Sequence, residues 1–324
     1  MTVEPEEHAD GSDASATLLA RAAAWIDAAL PDRALVYGSA PPDARDLDLI
    51  VSEQGASAAA DALTRAGFRR RGITWARFEG CAVGVVELHT AESLQLPPGV
   101  VDAVVHAGEP LPGLRRIVVP AGAHELVLLA IRLRQTTCLE PKHRRRIERA
   151  LVADRRAWET AADAAGAAAD DVLRLRRLTA GERVSGRRLQ LRPPRVLAVC
   201  SPDGRRAAFH AQTLADAAGA LGYAGAVISP GRWAALRAWT AVLRRLSGGG
   251  AVVVEAVSSR APLLAPPPVA EFVLASSTRP GSRIRQVDPA LPVGVACERI
   301  AELAWDSLST GGRLRSVVRR LRRL

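Results

Sequence analysis

The sequence predicts an α/β protein with two domains, and three observations support this. The chain has 324 residues, more than one typical domain and about right for two. Short apolar runs that read as strands alternate with helical patterns in both halves of the chain. Between the halves, residues 179–194 are rich in glycine, proline and charge and show no hydrophobic period, which is typical of a linker.

Residues 15–178 are predicted to form a small α+β domain with a helical cap. In chain order, its predicted elements are a helix over residues 16–31, a strand–turn–strand unit over 36–51, a helix over 57–66, two strands over 71–78 and 81–89, and three cap helices over 124–136, 141–158 and 161–178. Ser57 is the expected N-cap of the second helix, and Gly67 its end. This order predicts a sheet with one face covered by helices.

Residues 195–312 are predicted to form a doubly wound parallel sheet, because strands and helices alternate there as in βαβ units. The predicted elements are strands over residues 195–201, 251–257 and 272–275 and helices over 207–222 and 292–308. Residues 313–324 read as a basic amphipathic helix, expected to be a solvated tail or a surface for a partner.

The composition of the chain indicates which classes of ligand it is expected to bind. The net charge is +10, almost all from arginine, since Lys142 is the only lysine. The abundance of alanine, arginine and glycine suggests a GC-rich bacterial genome. A positive field favours anionic ligands such as nucleotides. Aromatic residues make up only 4% of the chain, without a strip that combines them with basic residues, so nucleic acid is not the expected partner.

The N-terminal residues, the length of the apolar runs and the cysteine spacing predict where in the cell the protein is located. Residues 1–14 are acidic and polar, so they are interpreted as a disordered leader and not as a secretory signal. No apolar run reaches the ~18–20 residues that span a bilayer, so a cytoplasmic protein without membrane contact is expected. The four cysteines show no CxxC spacing and are expected to be reduced, mostly buried thiols.

Two aspartates suggest a metal site in the first domain. Asp46 and Asp48 alternate with apolar residues, so on a strand they share one face, roughly 6–7 Å apart. Carboxylates this close repel unless something positive lies between them. Mg²⁺ prefers carboxylate oxygens and substrate phosphates. The alternative is a pair of acids that cap or flank an exposed strand.

The order of motifs around these acids resembles the nucleotidyltransferase superfamily related to DNA polymerase β. The pieces are Gly38-Ser39, then DLDLIV from Asp46, then VELH ending at His89, then a helix that opens HELVLLAIR at His124. They are most like an uncharacterised bacterial nucleotidyltransferase group. The resemblance covers about residues 15–178.

This resemblance implies a reaction and roles for five residues. Gly38 and Ser39 would hold the β- and γ-phosphates of a nucleoside triphosphate. Asp46, Asp48 and Glu87 would bind Mg²⁺ or Mn²⁺, and Glu87 could act as base on the acceptor hydroxyl. The reaction implied is transfer of a nucleoside monophosphate to a hydroxyl of an acceptor, which could be a small molecule, a peptide or a protein.

Two details of the motif set bear on these roles. Only six residues separate Ser39 from Asp46, so the phosphate-binding helix that follows Gly-Ser in the family is expected to be shortened or missing. His89 shares a strand face with Glu87. It is either a partner of Glu87 or an ordinary surface or core histidine.

The second domain resembles a thymidylate-kinase-like P-loop domain that has lost its phosphate-binding residues. Pro202-Asp203-Gly204 matches the family loop, but Arg206 replaces a glycine, and Ala207 and Ala208 replace the lysine and the Ser/Thr. Without them kinase activity is not expected. The domain is left as a scaffold, an acceptor-recognition module or a homodimer surface. The alternative for the whole protein is a non-catalytic nucleotide-sensing or assembly protein built from two eroded enzyme folds.

Overall fold

The chain forms an α/β structure that divides into two compact units. The first is built on residues 16–77 and 84–190. The second is built on residues 191–324, and two short segments, residues 1–15 and 78–83, are grouped with it. The computed structural model describes residues 11–42, 44, 46–80, 82–97, 99–134, 136, 139, 141–182, 195–200, 204–220, 226–228, 251–256, 269–273, 284–288 and 291–309. The predicted leader up to residue 10, most of the predicted linker, and the predicted C-terminal helix lie outside the described residues.

The first unit contains a mixed sheet and the helices that pack on it. Its strands are β1 (Ala34–Val36), β2 (Leu47–Ile50), β3 (Arg69–Arg71), β4 (Thr74–Glu79), β5 (Ala82–His89), β6 (Glu109–Pro110) and β7 (Ile117–Val119). Its helices are α1 (Gly11–Ala29), α2 (Glu53–Arg65), α3 (Val100–Ala107), α4 (Gly122–Arg132), α5 (Pro141–Ala153), α6 (Ala157–Ala165) and α7 (Ala169–Thr179). The strand order is β3-β4-β5-β2-β1-β7-β6. β2 is antiparallel to β1 and parallel to β5, and β1 is parallel to β7.

Side chains of the central strands alternate between two apolar cores. Val36 of β1, with Leu47 and Leu49 of β2, packs against α1 and α2. Leu35 of β1 and Ile50 of β2 pack into a second core with α3 to α7. The prediction of one covered face is therefore wrong, because helices cover both. The predicted alternation in β2 is confirmed, and it turns Asp48 toward the face that carries α4.

Local capping explains where the predicted helices near the N-terminus differ from the structure. α2 begins four residues before the predicted N-cap Ser57, because Ser52 caps it and accepts a hydrogen bond from the Gly55 N–H at 2.9 Å. Gly67 ends α2 as predicted, with a positive φ of 79°. α1 begins at Gly11, so residues 11–14 belong to a helix and not to a disordered leader.

Three predicted segments are divided in the structure. The cap helix predicted to reach residue 158 ends at Ala153, and the Asp154 carboxylate then accepts a hydrogen bond from the Arg156 N–H at 2.8 Å. The next predicted helix is interrupted at Gly166, which has a φ of 51° and opens a short 3₁₀ turn. A turn at Gly72, φ 62°, separates β3 from β4.

Elements α3, β6 and β7 are not among the predicted ones, and Asp27 of α1 fixes where β7 begins. Its carboxylate accepts hydrogen bonds from the backbone N–H groups of Arg116 at 2.6 Å and Ile117 at 2.9 Å. Arg115 also donates its backbone N–H to the same carboxylate, at 3.1 Å. This anchor places β7 beside β1, and so holds the centre of the sheet to α1.

The second unit is a parallel sheet with helices, as predicted. Its described elements are β8 (Arg195–Cys200), α8 (Gly204–Ala220), β9 (Ala226–Ile228), β10 (Ala251–Ala256), β11 (Val269–Val273), β12 (Ile284–Gln286) and α9 (Val293–Ser309). The strand order is β12-β11-β8-β10-β9, and each neighbouring pair is parallel. β11 begins three residues before the predicted strand, and α8 begins three residues before the predicted helix. The last two residues of that predicted strand lie outside the described residues. In the described part of the chain, no helix has the length and apolar character that crossing a membrane requires.

Replacing Asp27 with alanine is expected to lower the free energy of unfolding by about 1–2 kcal/mol, because backbone donors lose a charged acceptor. Burial raises the pKa of Asp27, but the N–H groups of Arg116, Ile117 and Arg115 outweigh it and hold that pKa below its usual value. A carboxyl whose pKa falls on folding stabilises above its unfolded pKa and loses this effect as the pH drops through the folded pKa.

Urea unfolding of wild type and Asp27→Ala, measured from pH 7 down to pH 2, checks this. The difference between the two proteins should shrink as the pH falls below about 4. A difference that stays constant over the whole range would show that the charge of Asp27 contributes nothing.

Candidate metal centre

Three side chains that can bind a metal meet on the α4 face of the first sheet. Asp48 of β2 lies directly opposite Glu87 of β5 in the register of the two parallel strands. His89 is two residues beyond Glu87 on β5 and therefore shares its face. One ligand atom from each of the three residues lies within 4.8 Å of the other two.

Asp48 is the most enclosed of the three, with 3% of its surface exposed. Its Oδ2 accepts a hydrogen bond from the Arg132 Nη1 at 3.1 Å. Its Oδ1 is buried and has no hydrogen-bond partner. A buried carboxylate oxygen without a partner costs free energy. A bound cation would satisfy this oxygen, since carboxylate oxygens are the ligands that hard divalent cations prefer.

Gly38 is required by the position of the Asp48 carboxylate. A Cβ atom built on Gly38 would lie 2.9 Å from the Asp48 Oδ2, closer than side chains approach one another. The backbone approaches this closely because the Tyr37 N–H donates to the Asp48 carbonyl at 2.9 Å, just beyond the end of β1. Thus the glycine of the Gly38-Ser39 pair leaves room for the carboxylate, and Ser39 follows it half-buried.

Glu87 is held by two neighbours. Its Oε1 accepts a hydrogen bond from the Thr74 hydroxyl at 3.2 Å, and its Oε2 lies 3.3 Å from the His89 Nε2. The hydrogen bond with His89 lowers the pKa of Glu87 below its ordinary value, although burial acts in the opposite direction. Glu87 is therefore a carboxylate at neutral pH, available as a metal ligand or as a hydrogen-bond acceptor for a substrate.

Arg132 and Tyr37 complete the surroundings of the two acids. Arg132 is the last residue of α4, and its guanidinium carbon lies 5.1 Å from the centre of the Tyr37 ring. Its Nη1 also donates to the Tyr37 carbonyl at 3.3 Å. The Tyr37 ring contacts the His89 ring edge-on, with 6.0 Å between their centroids. Burial raises the pKa of Tyr37, so its phenol is neutral at physiological pH.

The structure brings together some of the predicted site residues and not others. Asp48 and Glu87 meet as predicted, and Gly38 lies against Asp48. Asp46 precedes β2 by one residue and is not part of the three-residue group. His89 supplies the third ligand atom instead. In the sequence, His89 was marked only by its position two residues after Glu87, on the same face of the strand.

Arg132 is the functional residue that sequence reasoning missed. It lies on a helix 84 residues away from Asp48, and nothing in the helical pattern distinguishes it from other arginines. The phosphate-binding roles of Gly38 and Ser39 stay predictions. The described residues between Ser39 and Asp46 form no helix, in agreement with the shortened loop expected from the sequence.

In the second unit, the residue that the predicted resemblance aligns with the P-loop lysine is part of the protein core. Ala207, which stands at that position, has 0% of its surface exposed. Arg206 is directed to the protein itself, because its Nη2 donates to the Leu291 carbonyl at 2.9 Å. Residues 201–203 of the predicted loop lie outside the described residues. The loss of a P-loop lysine stays a prediction from the resemblance.

No family model, curated protein or solved structure gives a match to the chain. The grouping of Asp48, Glu87 and His89 and the partners of these residues are therefore the observations that bear on function. Two carboxylates and one imidazole are a donor set suited to a divalent cation.

Replacing Gly38 with alanine is expected to lower the free energy of unfolding by about 1–3 kcal/mol, because the added Cβ would displace the Asp48 carboxylate from Arg132. Urea unfolding measures the effect. Gly219→Ala is the matched control, since a Cβ at Gly219 meets nothing within 4 Å and the residue lies inside α8. The control should be neutral or slightly stabilising. Equal stability of Gly38→Ala and wild type would show that the site tolerates a side chain at this position.

Proposed function

We propose that the protein is a nucleotidyltransferase that depends on Mg²⁺ or Mn²⁺ and moves a nucleoside monophosphate from a nucleoside triphosphate to a hydroxyl of an acceptor. The observation that carries this proposal is the Asp48 Oδ1, a buried carboxylate oxygen without a partner beside Glu87 and His89. The register of Asp48 with Glu87, next to Gly38, agrees with the order of motifs in the DNA polymerase β-like nucleotidyltransferases.

The residues present fit such a cation. Asp48 and Glu87 supply carboxylate oxygens, which both Mg²⁺ and Mn²⁺ accept, and the His89 imidazole suits Mn²⁺ better than Mg²⁺. Asp46, one residue ahead of β2, is the proposed further ligand. When bound, the cation would neutralise the triphosphate and the charge that develops during transfer.

The other side chains have roles that follow from their positions. The absence of a side chain at Gly38 lets phosphate oxygens approach the backbone, and Ser39 offers a hydroxyl. Arg132, with 35% of its side chain exposed, presents donors that suit phosphate oxygens. The Glu87 carboxylate is ready to accept a hydrogen bond from the acceptor hydroxyl.

For the second unit we propose a thymidylate-kinase-like P-loop fold without phosphoryl transfer. Its central strand β8 leads into α8, and all its neighbouring strands are parallel, which is the arrangement of a P-loop domain. The buried Ala207 at the lysine position supports the loss of kinase activity. The chain would then consist of a nucleotidyltransferase fold followed by a kinase-like domain.

A second candidate function is a non-catalytic nucleotide-sensing or assembly protein. The Arg132–Asp48 ion pair favours it, because a fixed cation already compensates the buried acid without any metal. Such a protein would show no turnover with any acceptor. Its nucleotide binding would be insensitive to alanine at Asp46 and Asp48.

Asp48→Asn is expected to weaken Mn²⁺ binding by at least about tenfold and to reduce nucleotidyl transfer by about a hundredfold or more, because it removes one negative charge at nearly constant volume. Mn²⁺ titration followed by electron paramagnetic resonance measures the first effect. Release of pyrophosphate from labelled triphosphates, with a panel of candidate acceptors, measures the second. Asp61→Asn, an exposed acid on α2, is the control and should behave as wild type.

Unchanged Mn²⁺ binding by Asp48→Asn would rule out its role as ligand. Nucleotide binding that is retained in this variant, with no turnover in wild type, would favour the second candidate function. The same titration with Asp46→Asn and His89→Gln shows which of the two completes the metal centre.

Arg132→Gln is expected to change two affinities in opposite directions. Mn²⁺ should bind more tightly, by about threefold to tenfold, because a competing positive charge beside Asp48 is removed. The magnesium complex of ATP should bind about tenfold more weakly, because a phosphate-binding donor is lost. Arg134→Gln is the control, since the Arg134 Nη2 donates to the Gln95 side chain at 3.0 Å. A decrease in both affinities would show that Arg132 only maintains the shape of the site.

A further inference from the structure

The sheet of the first unit has a basic edge strand on the far side of the metal centre from Gly38. This strand is β3, which consists of Arg69, Arg70 and Arg71, and all three residues are exposed. β3 is the terminal strand, next to β4, and β4 is next to β5, which carries Glu87. Gly38 follows β1, on the opposite side of β2.

Strand register determines which arginines face the metal centre. Arg71 lies opposite Thr74, and Arg69 lies opposite Ala76, in the antiparallel pair of β3 and β4. Residues directly opposite in such a pair share one face of the sheet. Thr74 is on the Glu87 face, since its hydroxyl donates to the Glu87 Oε1 at 3.2 Å. Arg69 and Arg71 are therefore on the face of the metal centre.

Arg70 lies on the other face. It is opposite Trp75 in the same register, and its guanidinium carbon lies 5.5 Å from the centre of the Trp75 ring. Trp75 belongs to the core formed with α1 and α2. The three arginines thus have the same charge and the same edge position but differ in the face that they occupy.

The metal centre and these arginines form a row across the sheet. Asp48, Glu87, Thr74 and Arg71 lie on adjacent strands, and β3 is about 10 Å from β5, two strand spacings. The Arg71 side chain is long enough to cover part of this distance. A small molecule could therefore contact Glu87 with a hydroxyl group and Arg71 with an anionic group.

The opposite side of Asp48 is occupied by groups that suit the nucleotide. Gly38 and Arg132 both lie there, against the Asp48 Oδ2. In the proposed function they face the triphosphate, so the side toward β4 and β3 is left for the acceptor. The positive charge of β3 then selects for a negatively charged acceptor.

We propose that the acceptor is a small molecule that carries a phosphate group, which Arg69 and Arg71 bind while the acceptor hydroxyl lies at Glu87. This proposal rests on the proposed function and adds the substrate class. The acceptor oxygen forms a bond to the α-phosphorus, the bond from that phosphorus to the pyrophosphate oxygen breaks, and the hydroxyl proton passes to Glu87. Guanidinium groups suit this recognition because they bind phosphate oxygens in pairs.

Charged residues on an edge strand also prevent the pairing of sheets between molecules. An arginine on either face of the edge strand would have this protective role. Arg70 therefore serves as the matched control for Arg69 and Arg71, because it carries the same charge on the same strand but points away from the metal centre.

The experiment uses the full chain with ribose 5-phosphate as the probe and ribose as its uncharged counterpart, in titrations followed by saturation-transfer NMR. Wild type should bind ribose 5-phosphate at least about tenfold more tightly than ribose. The double variant Arg69→Gln/Arg71→Gln should lose this preference. Arg70→Gln should stay within about twofold of wild type. Circular dichroism checks that each variant is folded.

Two outcomes of the titrations with the two sugars overturn the proposal. One is the absence of a preference for ribose 5-phosphate in wild type. The other is an equal effect of Arg70→Gln and of the double variant, which would show a general effect of edge charge. A titration with inorganic phosphate shows whether the site recognises the sugar phosphate or any phosphate anion. It should bind more weakly than ribose 5-phosphate, and equal binding would indicate a simple anion site and contradict the acceptor assignment.

Mn²⁺ titration separates this proposal from the proposed function. The double variant should bind Mn²⁺ as wild type does, since both arginines are on β3, two strands away from β5. If wild type binds Mn²⁺ but shows no preference for the phosphate probe, the acceptor proposal alone is wrong. If wild type binds no Mn²⁺ and the preference still depends on Arg69 and Arg71, the proposed metal-dependent transfer is wrong and a phosphate-binding site on β3 stands.

Discussion

The structure of the first unit depends on keeping one carboxylate, that of Asp48, nearly out of contact with water. Transfer of an ionised carboxylate from water to a protein interior costs several kcal/mol even after the protein relaxes, so it needs partners. Arg132 supplies one partner for Oδ2, at 3.1 Å. Gly38 supplies space, because any Cβ there would meet the same oxygen. The end of α4, the turn after β1 and the middle of β2 are thus tied to one another through a single side chain.

This arrangement follows from the alternation of β2 between two apolar cores. Leu47 and Leu49 fill the core on the α1–α2 side, so Asp48 has to face the other side. There it is next to Ile50, which belongs to the core with α4. A polar residue at the edge of an apolar core is costly unless it is paired. Its position beside Glu87, with one oxygen left without a partner, is an arrangement that a bound cation would stabilise.

Sequence alone predicted those parts of the site that depend on local spacing along a strand. The alternation in β2 and the spacing of Glu87 and His89 are local, and they gave the correct face of each strand. Asp46 was assigned to the same face by the same spacing, but β2 begins only at Leu47. Strand geometry therefore does not extend to Asp46.

Contacts between residues that are far apart in the sequence left no comparable pattern in the sequence. Arg132 reaches Asp48 from a helix, and its identity as an ion-pair partner depends on how α4 packs on the sheet. β7 is three residues long and is anchored by the Asp27 carboxylate from α1, so its length did not mark it as an interior strand of the sheet. Some of the helix ends that were wrong depended on single hydrogen bonds, such as the one from the Gly55 N–H to the Ser52 hydroxyl.

The positive charge of the chain affects the site mainly through individual arginines near it, and less through the net charge of the protein. A net charge of +10 attracts anions in general, but salt screens exposed charges beyond about 8–10 Å under physiological conditions. Arg132 on one side of Asp48 and Arg71 on the other lie within or close to this range of the metal centre. In the proposed function, the triphosphate on the Arg132 side and an anionic acceptor on the Arg71 side would be aligned with each other across Asp48 and Glu87. The orientation of the proposed reaction would then be fixed by the positions of Arg132 at the end of α4 and Arg71 on β3, and not by the overall field of the protein.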